Sequence, residues 1–302
     1  RDLHRLIRRQ RQMCIRDSDN GGYIYTIDGK LVKEITAEGI YDSHTGIQLY
    51  PKFGWLSGNG RYAVEDPNKY GTNAIVIDLE TGQTISVDWG DLRPVSGTYP
   101  RGGHIWVRMD YTGNIIAVGE ADPNGRLLVY EYDPSLGKYV RIYTSHEYGY
   151  WRMIQVSWDG TYIVGGVYDL NYTFIFKRDG NTYKLIAQLP LKGGHASVTF
   201  TDPKNLGYIL VGTTNGYAHI FKFDPSTDTA VEIWSGRVGT ATGRVYSCTI
   251  VTQSTASLSF VGFRAIDGDA IVVDLNTKTV IFQDVVEVGE SVSVSPAGDY
   301  IV

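Results

Sequence analysis

A short phrase recurs six times along the chain: an apolar strand, a tight polar turn with glycine, and a second apolar strand. The copies lie at 57–62, 110–115, 157–162, 295–300 and, in degenerate form, up to 207–208 and near 259–260. The turn glycines Gly60 and Gly113 are 53 residues apart. The next two intervals, to Gly160 and to Gly207, are 47 residues each. A period of this length, built from short strands, is typical of the blades of a β-propeller.

Composition indicates a chain built from strands and turns. The 302 residues include 35 glycines and 22 tyrosines, and Val, Ile and Thr are abundant. Aromatic and β-branched residues favour strands, and glycine favours turns. Beyond the first few residues, no long segment has the sustained apolar period of about 3.6 residues that a surface helix needs. We therefore predict an all-β protein.

Charge is divided unevenly along the chain. The formal net charge is −5, but the first 18 residues hold six arginines against Asp2 and Asp17, so the remaining 284 residues carry about −9. An acidic body does not attract a phosphate backbone, which argues against nucleic acid as a partner. No stretch approaches about 18 consecutive apolar residues, so we expect no membrane span.

Cysteine content leaves the cellular compartment open. Cys14 and Cys248 are too few and too differently placed to suggest a disulfide framework. A secreted protein of this size can do without disulfides. We favour an extracellular or cell-surface location over a cytoplasmic one.

Both ends of the sequence look artificial. Residues 8–18, Arg-Arg-Gln-Arg-Gln-Met-Cys-Ile-Arg-Asp-Ser, resemble a translated sequencing-adaptor scar of the kind found in metagenomic genes. An arginine-rich arm for an anionic partner is the alternative. The chain also stops at Val302, in the middle of a predicted strand. We therefore expect residues 1–18 to be a non-native or disordered basic tail and residues 19–302 to form the propeller domain.

Each repeat divides into four strands, labelled A to D from the propeller axis outward. Five whole blades follow, at residues 47–87, 104–143, 150–189, 195–234 and 244–282. Residues 22–36 fit strands C and D alone, and residues 290–302 fit strands A and B alone. Joining these two pieces would complete a sixth blade and remove open sheet edges. We predict six four-stranded antiparallel blades with a closing blade shared by both termini, or seven if the chain is a fragment.

Two kinds of phrase resemble the repeats of YVTN and quinoprotein-like propellers, a WD40-like group. Residues 157–164 and 295–302, Ser-Trp-Asp-Gly-Thr-Tyr-Ile-Val and Ser-Pro-Ala-Gly-Asp-Tyr-Ile-Val, resemble the Ser-Pro-Asp-Gly repeat of that group. Residues 74–82 and 271–275 resemble its strand C and the turn that follows. The resemblance spans residues 22–302 and implies a propeller, but its motifs specify no substrate.

Enzyme families with related repeats fit less well. Pyrroloquinoline-quinone enzymes place a Trp soon after the Thr-Gly of the C–D turn, whereas Gly82 is followed only by the distant Trp89. Sialidase-type aspartate boxes need a Trp close after the turn glycine, but Gly160 and Gly298 are followed by tyrosine instead. No strand C ends in the Trp-Asp of true WD40 repeats.

Four histidines share one class of loop. In a propeller the D–A connections and B–C loops emerge on one face around the axis, where ligands bind. His44, His104, His146 and His195 each lie in a D–A segment ahead of one of the first four blades, whereas His219 lies in a predicted strand C. Histidines that converge can bind zinc or copper, or supply a general base. Surface or supporting histidines are the alternative, because the four belong to different blades.

Other polar and aromatic side chains occupy the same entrance to strand A. Two arginines, a carboxylate and aromatic rings can hold a sugar, a peptide or a small acid. Packing between blades is the alternative for the aromatic residues, and tying loops together is the alternative for the arginines. The predicted ligand-binding set at the channel mouth is His104, Tyr150, Trp151, Arg152, His195, Arg244 and Glu290.

Acidic residues mark the B–C loops. Asp267 and Asp269 have the spacing of oxygen ligands that can bind calcium. The fuller pattern of a calcium loop is missing, so turn capping is the alternative. No nucleophile elbow, phosphate loop or Cys-x-x-Cys motif occurs. We predict no cofactor, and keep calcium or a transition metal as the open alternative.

Two functions fit these observations. The first is a binding or scaffold propeller whose D–A and B–C loop face recognises a protein or carbohydrate ligand. The second is a propeller enzyme of the lactonase or quinoprotein-like class, with a channel-mouth histidine and carboxylate site that can include a metal. The absence of a catalytic motif favours the first, and whether the chain is an enzyme stays open.

Overall fold

A computed structural model of the chain consists of strands, turns and loops, with no α-helix among the residues it describes. Those residues are 12–16, 21–26, 31–36, 40–42, 47–49, 51–57, 59, 61–67, 75–78, 80–87, 106–120, 124–168, 170–201, 207–239, 244–254, 257–266 and 269–285. Two compact units are present: unit 1 comprises Arg1–Tyr150 with Trp158–Thr161, and unit 2 comprises Trp151–Ser157 with Tyr162–Val302. No helix able to cross a membrane occurs in the described ranges.

Unit 1 holds a three-stranded sheet, a hairpin and two four-stranded sheets, all antiparallel. The three-stranded sheet joins β1 (Gln12–Arg16), β2 (Gly21–Thr26) and β3 (Leu31–Thr36), and the hairpin joins β4 (Ile40–Asp42) and β5 (Ile47–Leu49). The first four-stranded sheet joins β6 (Pro51–Leu56), β7 (Tyr62–Pro67), β8 (Ile75–Asp78) and β9 (Thr84–Ile85). The second joins β10 (Trp106–Met109), β11 (Ile115–Gly119), β12 (Leu127–Asp133) and β13 (Lys138–Thr144).

Unit 2 holds the strands of three further four-stranded antiparallel sheets. The first joins β14 (Trp151–Val156), β15 (Tyr162–Val167), β16 (Tyr172–Asp179) and β17 (Thr182–Pro190). The second joins β18 (His195–Phe200), β19 (Tyr208–Thr213), β20 (Tyr217–Asp224) and β21 (Thr229–Arg237). The third joins β22 (Val245–Ser254), β23 (Ser257–Ala265), β24 (Asp269–Asp274) and β25 (Thr279–Val285).

The five four-stranded sheets confirm the five whole blades that the repeat predicts. Within each sheet every strand pairs with its neighbours in sequence, from A to D. In the third blade, the strands predicted at 153–157, 162–166, 173–177 and 183–188 agree with β14 to β17 to within about two residues at each end, the usual uncertainty of strand boundaries. Spacing alone therefore located the blades.

The N-terminal sheet contains one of the two strand pairings predicted for β2. Strands β2 and β3 confirm strands C and D, predicted over 22–36. The predicted partner of β2, residues 290–302, lies outside the described residues. In the structure, β2 instead pairs with β1 along the edge opposite β3. Residues 12–16 form this strand within the segment predicted to be a non-native or disordered basic tail, and the short connection to β2 costs little closure entropy.

The second strand is buried along its whole length in the second and third blades. All residues of β11 and β15 are buried, since in a propeller neighbouring blades cover both faces of a strand. Their sequences are therefore continuous apolar runs, without the alternation of a half-exposed strand. In unit 2, Val164 and Val211 belong to the core of the third and fourth blades, and Val261 and Phe263 belong to the core of the fourth and fifth.

Each A–B turn in the first four blades is closed by a side-chain acceptor at the end of strand A. The acceptor takes the backbone N–H of the residue that begins strand B or lies directly before it. Such side-chain bonds favour turns over continued strand. The donor and acceptor pairs are Tyr62 N to Ser57 Oγ (2.9 Å), Ile115 N to Asp110 Oδ1 (2.9 Å), Tyr162 N to Ser157 Oγ (2.9 Å) and Tyr208 N to Thr201 Oγ1 (2.6 Å).

The C–D turns share an aspartate that caps the turn it begins, as the sequence predicts. Each Oδ1 accepts the backbone N–H two residues further on, at 2.7–2.9 Å, in Asp78, Asp133, Asp224 and Asp274. The fifth residue of each of these turns has a positive φ, and in two of the four it is not glycine but Asp228 or Lys278. The Asp228 carboxylate binds Nζ of Lys177 at 2.7 Å and the Tyr162 hydroxyl at 3.0 Å, and these contacts offset the backbone strain.

Candidate ligand-binding face

Strand A carries a bulge near its start in four of the five blades. A bulge bends a strand and re-aims the side chains beside it. Met153, the extra residue in the third blade, has a φ of 43°. The register shifts fall between Pro51 and Phe53, Arg152 and Ile154, His195 and Ser197, and Val245 and Ser247. The bulges therefore lie where the D–A segments enter strand A, beside the predicted ligand-binding residues.

Two predicted residues meet on one tyrosine ring in unit 2. The guanidinium carbon of Arg152 lies 4.9 Å from the ring centroid of Tyr168, and that of Arg244 lies 5.2 Å from it. Arg244 is exposed, whereas Arg152 and Tyr168 are half-buried. A guanidinium is attracted to the negative face of an aromatic ring. A D–A residue of the fifth blade and two residues of the third are thereby brought together.

A second tyrosine in unit 2 has the same arrangement. The Nζ atom of Lys192 lies 5.5 Å from the ring centroid of Tyr217, and the guanidinium carbon of Arg237 lies 4.7 Å from it. Both cations are exposed and the ring is half-buried. Lys192 lies in the D–A segment after β17, Tyr217 opens β20, and Arg237 ends β21. These residues belong to the same loop class as the first set.

Two glycines allow the segment that follows Lys192 to lie close to the loops of both tyrosines. A β-carbon on Gly194 would clash with the Tyr168 carbonyl and would lie 3.0 Å from Oγ1 of Thr214. Gly193 has a φ of +128° and packs against the Asn215 side chain. The segment between Lys192 and strand A of the fourth blade thus lies against the B–C loops of both blades. Hereafter the tyrosine–cation surface means Arg152, Tyr168, Lys192, Tyr217, Arg237 and Arg244.

A buried histidine holds Lys192 in place. Nδ1 of His219 lies 2.6 Å from Oε1 of Glu232, and Nε2 accepts the backbone N–H of Lys192 at 3.1 Å. Burial lowers the pKa of His219, and the Glu232 carboxylate opposes that shift. The accepting Nε2 requires the neutral ring with its proton on Nδ1. His219 therefore acts as a positioning residue for the D–A segment.

Two predicted ligand-binding residues are core residues. Trp151 is 0% exposed, and its ring lies 5.6 Å from that of Phe174. His195 is also 0% exposed, and its Nδ1 lies 3.0 Å from Oγ1 of Thr173. The bulges at the start of strand A turn both side chains inward rather than toward solvent, and Gly166 leaves room for the imidazole. Neither side chain can reach a surface ligand in this arrangement.

The other predicted site residues are spread more widely. Tyr150 is half-buried and His146 is exposed, and both belong to unit 1. Asp269 is half-buried and opens β24 in unit 2. The predicted residues outside the described part of the chain are His44, His104, Asp267 and Glu290.

No metal centre forms within the described residues. They contain no group of three or more His, Cys, Asp or Glu side chains that could hold a metal ion. Asp267, His44 and His104 lie outside the described ranges. Metal binding stays a prediction.

Unit 1 carries a related pair on the same class of loop. The guanidinium carbon of Arg126 lies 4.2 Å from the ring centroid of Tyr148, and the Arg126 side chain also donates to the Tyr148 hydroxyl. Arg126 precedes strand C and Tyr148 lies in the D–A segment. Pairing of a cation with a tyrosine is thus a repeated feature of these loops in the second, third and fourth blades.

Sequence reasoning did not select Lys192, Tyr217 or Arg237. Lys192 and Arg237 come from D–A segments, and Tyr217 comes from the end of a B–C loop. They stand at no fixed spacing from Arg152, Tyr168 and Arg244, so the repeat gives no alignment between the two sets. A search for basic and aromatic residues across the whole loop class would have found them.

Comparisons with known proteins identify a fold and no family. No protein-family model and no curated protein matches the chain. The solved β-propeller domain of Cps50 (Swd1) from Myceliophteria thermophila is similar, with a TM-score of 0.63 and 12% identity, over 96% of this chain and 88% of that one. A computationally designed protein, Ika8, is similar with a TM-score of 0.61 and 15% identity, over 94% and 74% respectively. Together with its four-stranded antiparallel blades, these likenesses give the chain the fold of a β-propeller.

Proposed function

We propose that this chain is a binding or scaffold propeller that recognises a protein or carbohydrate ligand through its D–A and B–C loop face. The observation that carries the proposal is the tyrosine–cation surface of unit 2. Each of its tyrosine rings has two cations from different loops within 5.5 Å of its centroid. Tyrosine and arginine are the residue types that most often dominate the binding energy of protein interfaces. We also infer that the repeats are of the YVTN or quinoprotein-like type, from their turn sequences.

The enzyme alternative has less support. It depends on a histidine that can exchange a proton with a substrate, and a general base must lie within hydrogen-bond reach of it. His195 is fully buried, and Nε2 of His219 already accepts the Lys192 N–H. Both described histidines of unit 2 therefore have roles inside the fold.

Removing both tyrosine rings is expected to abolish the proposed binding. Peptides selected from a random dodecapeptide library and sugars on a glycan array serve as probes of the full chain. The double variant Tyr168→Ala/Tyr217→Ala should bind the best probe at least about tenfold more weakly, because it removes two rings that organise the surface. Isothermal titration with purified proteins measures the loss.

Trp158→Ala is the matched control. Trp158 is 55% exposed in an A–B turn, where its ring lies 5.4 Å from that of Tyr111. Its removal also deletes an exposed aromatic ring, but one in an A–B turn and not in a D–A or B–C loop. We therefore expect the affinity for the probe to change less than about twofold. Equal losses in both variants, or binders that tolerate the loss of Tyr168 and Tyr217, would contradict the proposal.

A further inference from the structure

We propose that the tyrosine–cation surface binds a short acidic segment of a protein partner, whose carboxylates are received by Lys192 and Arg237. The inference rests on the proposed function and deepens it, because it names the chemistry of the ligand. It concerns unit 2 alone.

The cations on Tyr217 lack carboxylate partners in the protein itself. Lys192 and Arg237 are exposed, and neither forms an ion pair with any carboxylate among the described residues. Cations elsewhere in the described structure do form such pairs: Arg61 with Asp78 at 2.9 Å, Lys177 with Asp228 at 2.7 Å and Lys184 with Asp179 at 3.1 Å. Two unpaired cations on one ring therefore distinguish this surface in a chain of negative net charge.

Both cations are partly ordered before any ligand arrives. The ring of Tyr217 attracts both charged groups, which reduces the side-chain entropy that each loses when an anion binds. His219 fixes the backbone of Lys192 through its N–H at 3.1 Å. Gly193 and Gly194 hold this segment against the loop of Tyr168. These contacts preorganise the backbone at Lys192 and hold its segment close to the loop of Tyr168.

Carboxylate fits the chemistry better than a neutral sugar or a long polyanion. Guanidinium and ammonium groups donate strong, charge-assisted hydrogen bonds to carboxylates. A neutral sugar would leave Lys192 and Arg237 without charge compensation. The residues after the first 18 carry about −9, so their field repels a long polyanion such as nucleic acid, whereas a short segment interacts mainly with the local charges.

Selection of peptides tests the inference directly. A random dodecapeptide library displayed on phage is selected against the full chain, and the best binder is synthesised and titrated. We expect Asp and Glu to be enriched at least about threefold over the unselected library. Charge reversal with Lys192→Glu/Arg237→Glu should weaken binding of that peptide at least about tenfold. Raising NaCl from about 0.05 M to about 0.5 M should weaken wild-type binding severalfold.

Lys184→Glu/Lys278→Glu is the matched control, with the same change in charge at exposed positions in or beside C–D turns. It should change the affinity less than about twofold, and circular dichroism checks that both double variants fold. The inference is overturned by selected peptides that are not acidic, by no selected peptides, by equal losses in the two variants, or by tighter binding of single-stranded DNA than of the peptide. If the inference is overturned, the proposed function still holds when a neutral peptide or a glycan binds and Tyr168→Ala/Tyr217→Ala removes that binding. The proposed function fails when no binding depends on those tyrosines.

Discussion

Replacing Gly212 with alanine is expected to lower the free energy of unfolding by about 3 kcal/mol. Gly212 lies in β19, opposite Ser197 in β18. A β-carbon there would clash with Oγ of Ser197 and with the carbonyl of Val245, and would lie 2.7 Å from Cγ1 of Val245. Ser197 Oγ donates to that carbonyl at 2.8 Å. The added methyl would therefore overpack the fourth and fifth blades and break a buried hydrogen bond.

Gly137→Ala is the comparison variant, because it introduces a change of backbone preference without the steric clash expected at Gly212. Gly137 has a φ of +64° and open space where a β-carbon would stand, so its loss should cost only about 1–2 kcal/mol of conformational strain. Urea unfolding followed by circular dichroism compares both variants with the wild type. The account of close packing at Gly212 fails if Gly212→Ala is as stable as the wild type. Ser197→Ala in the Gly212→Ala background should recover part of the loss, because it removes one of the clashing atoms.

Acid is expected to destabilise unit 2 through His195. Burial lowers the pKa of the His195 imidazole to about 4, and the backbone carbonyls of Met153 and Arg152 oppose that shift only in part. An unfolded histidine titrates near pH 6.5, so between pH 6.5 and 4 the unfolded chain binds more protons than the folded chain. Stability therefore falls as the pH is lowered through this window, by roughly 3 kcal/mol in total. Burial of His219 acts in the same direction.

Urea unfolding between pH 7.5 and pH 4.5 measures the effect. The lowered pKa values of Asp78, Asp133 and Asp224 place their contributions below this range. His195→Gln should flatten the pH dependence, whereas His146→Gln, at an exposed position, should leave it unchanged. If His195→Gln does not fold, NMR titration of the His195 imidazole in the wild type still measures its pKa directly. A ring that titrates near pH 6.5 would contradict the burial described here.

The blades could be predicted from the sequence because the hydrogen bonds that form their turns are local. The A–B turns of the first four blades have an acceptor at the end of strand A, and four of the five C–D turns begin with a capping aspartate, so both signals recur along the sequence. The strand formed by Gln12–Arg16 was not predicted, because the arginines of the surrounding segment and the adaptor-like phrase suggested a tail. Whether residues 12–16 pair with β2 depends on strand register and on the proximity of the two segments, and composition gives no information on either.

The candidate site was only partly predictable. Arg152 and Arg244 were selected from their loop class, and the structure brings them together on Tyr168. Trp151 and His195 were selected on the same ground, yet both are buried. A one-residue bulge decides whether a side chain at the start of strand A points inward or outward, and bulges are not visible in the sequence pattern. Lys192, Tyr217 and Arg237 meet through tertiary contacts between separate loops.

The central claim is that the D–A and B–C loops of unit 2, and not the repeated turns, bind the ligand. Hydrogen exchange measured by mass spectrometry, with and without the selected dodecapeptide at saturation, tests this most directly. The account predicts slower exchange in peptides covering Leu191–His195 and Tyr217–His219, with little change in those covering Asp224–Thr229 and Asp274–Thr279. Protection confined to the two C–D turns, with none in the loop segments, would contradict it.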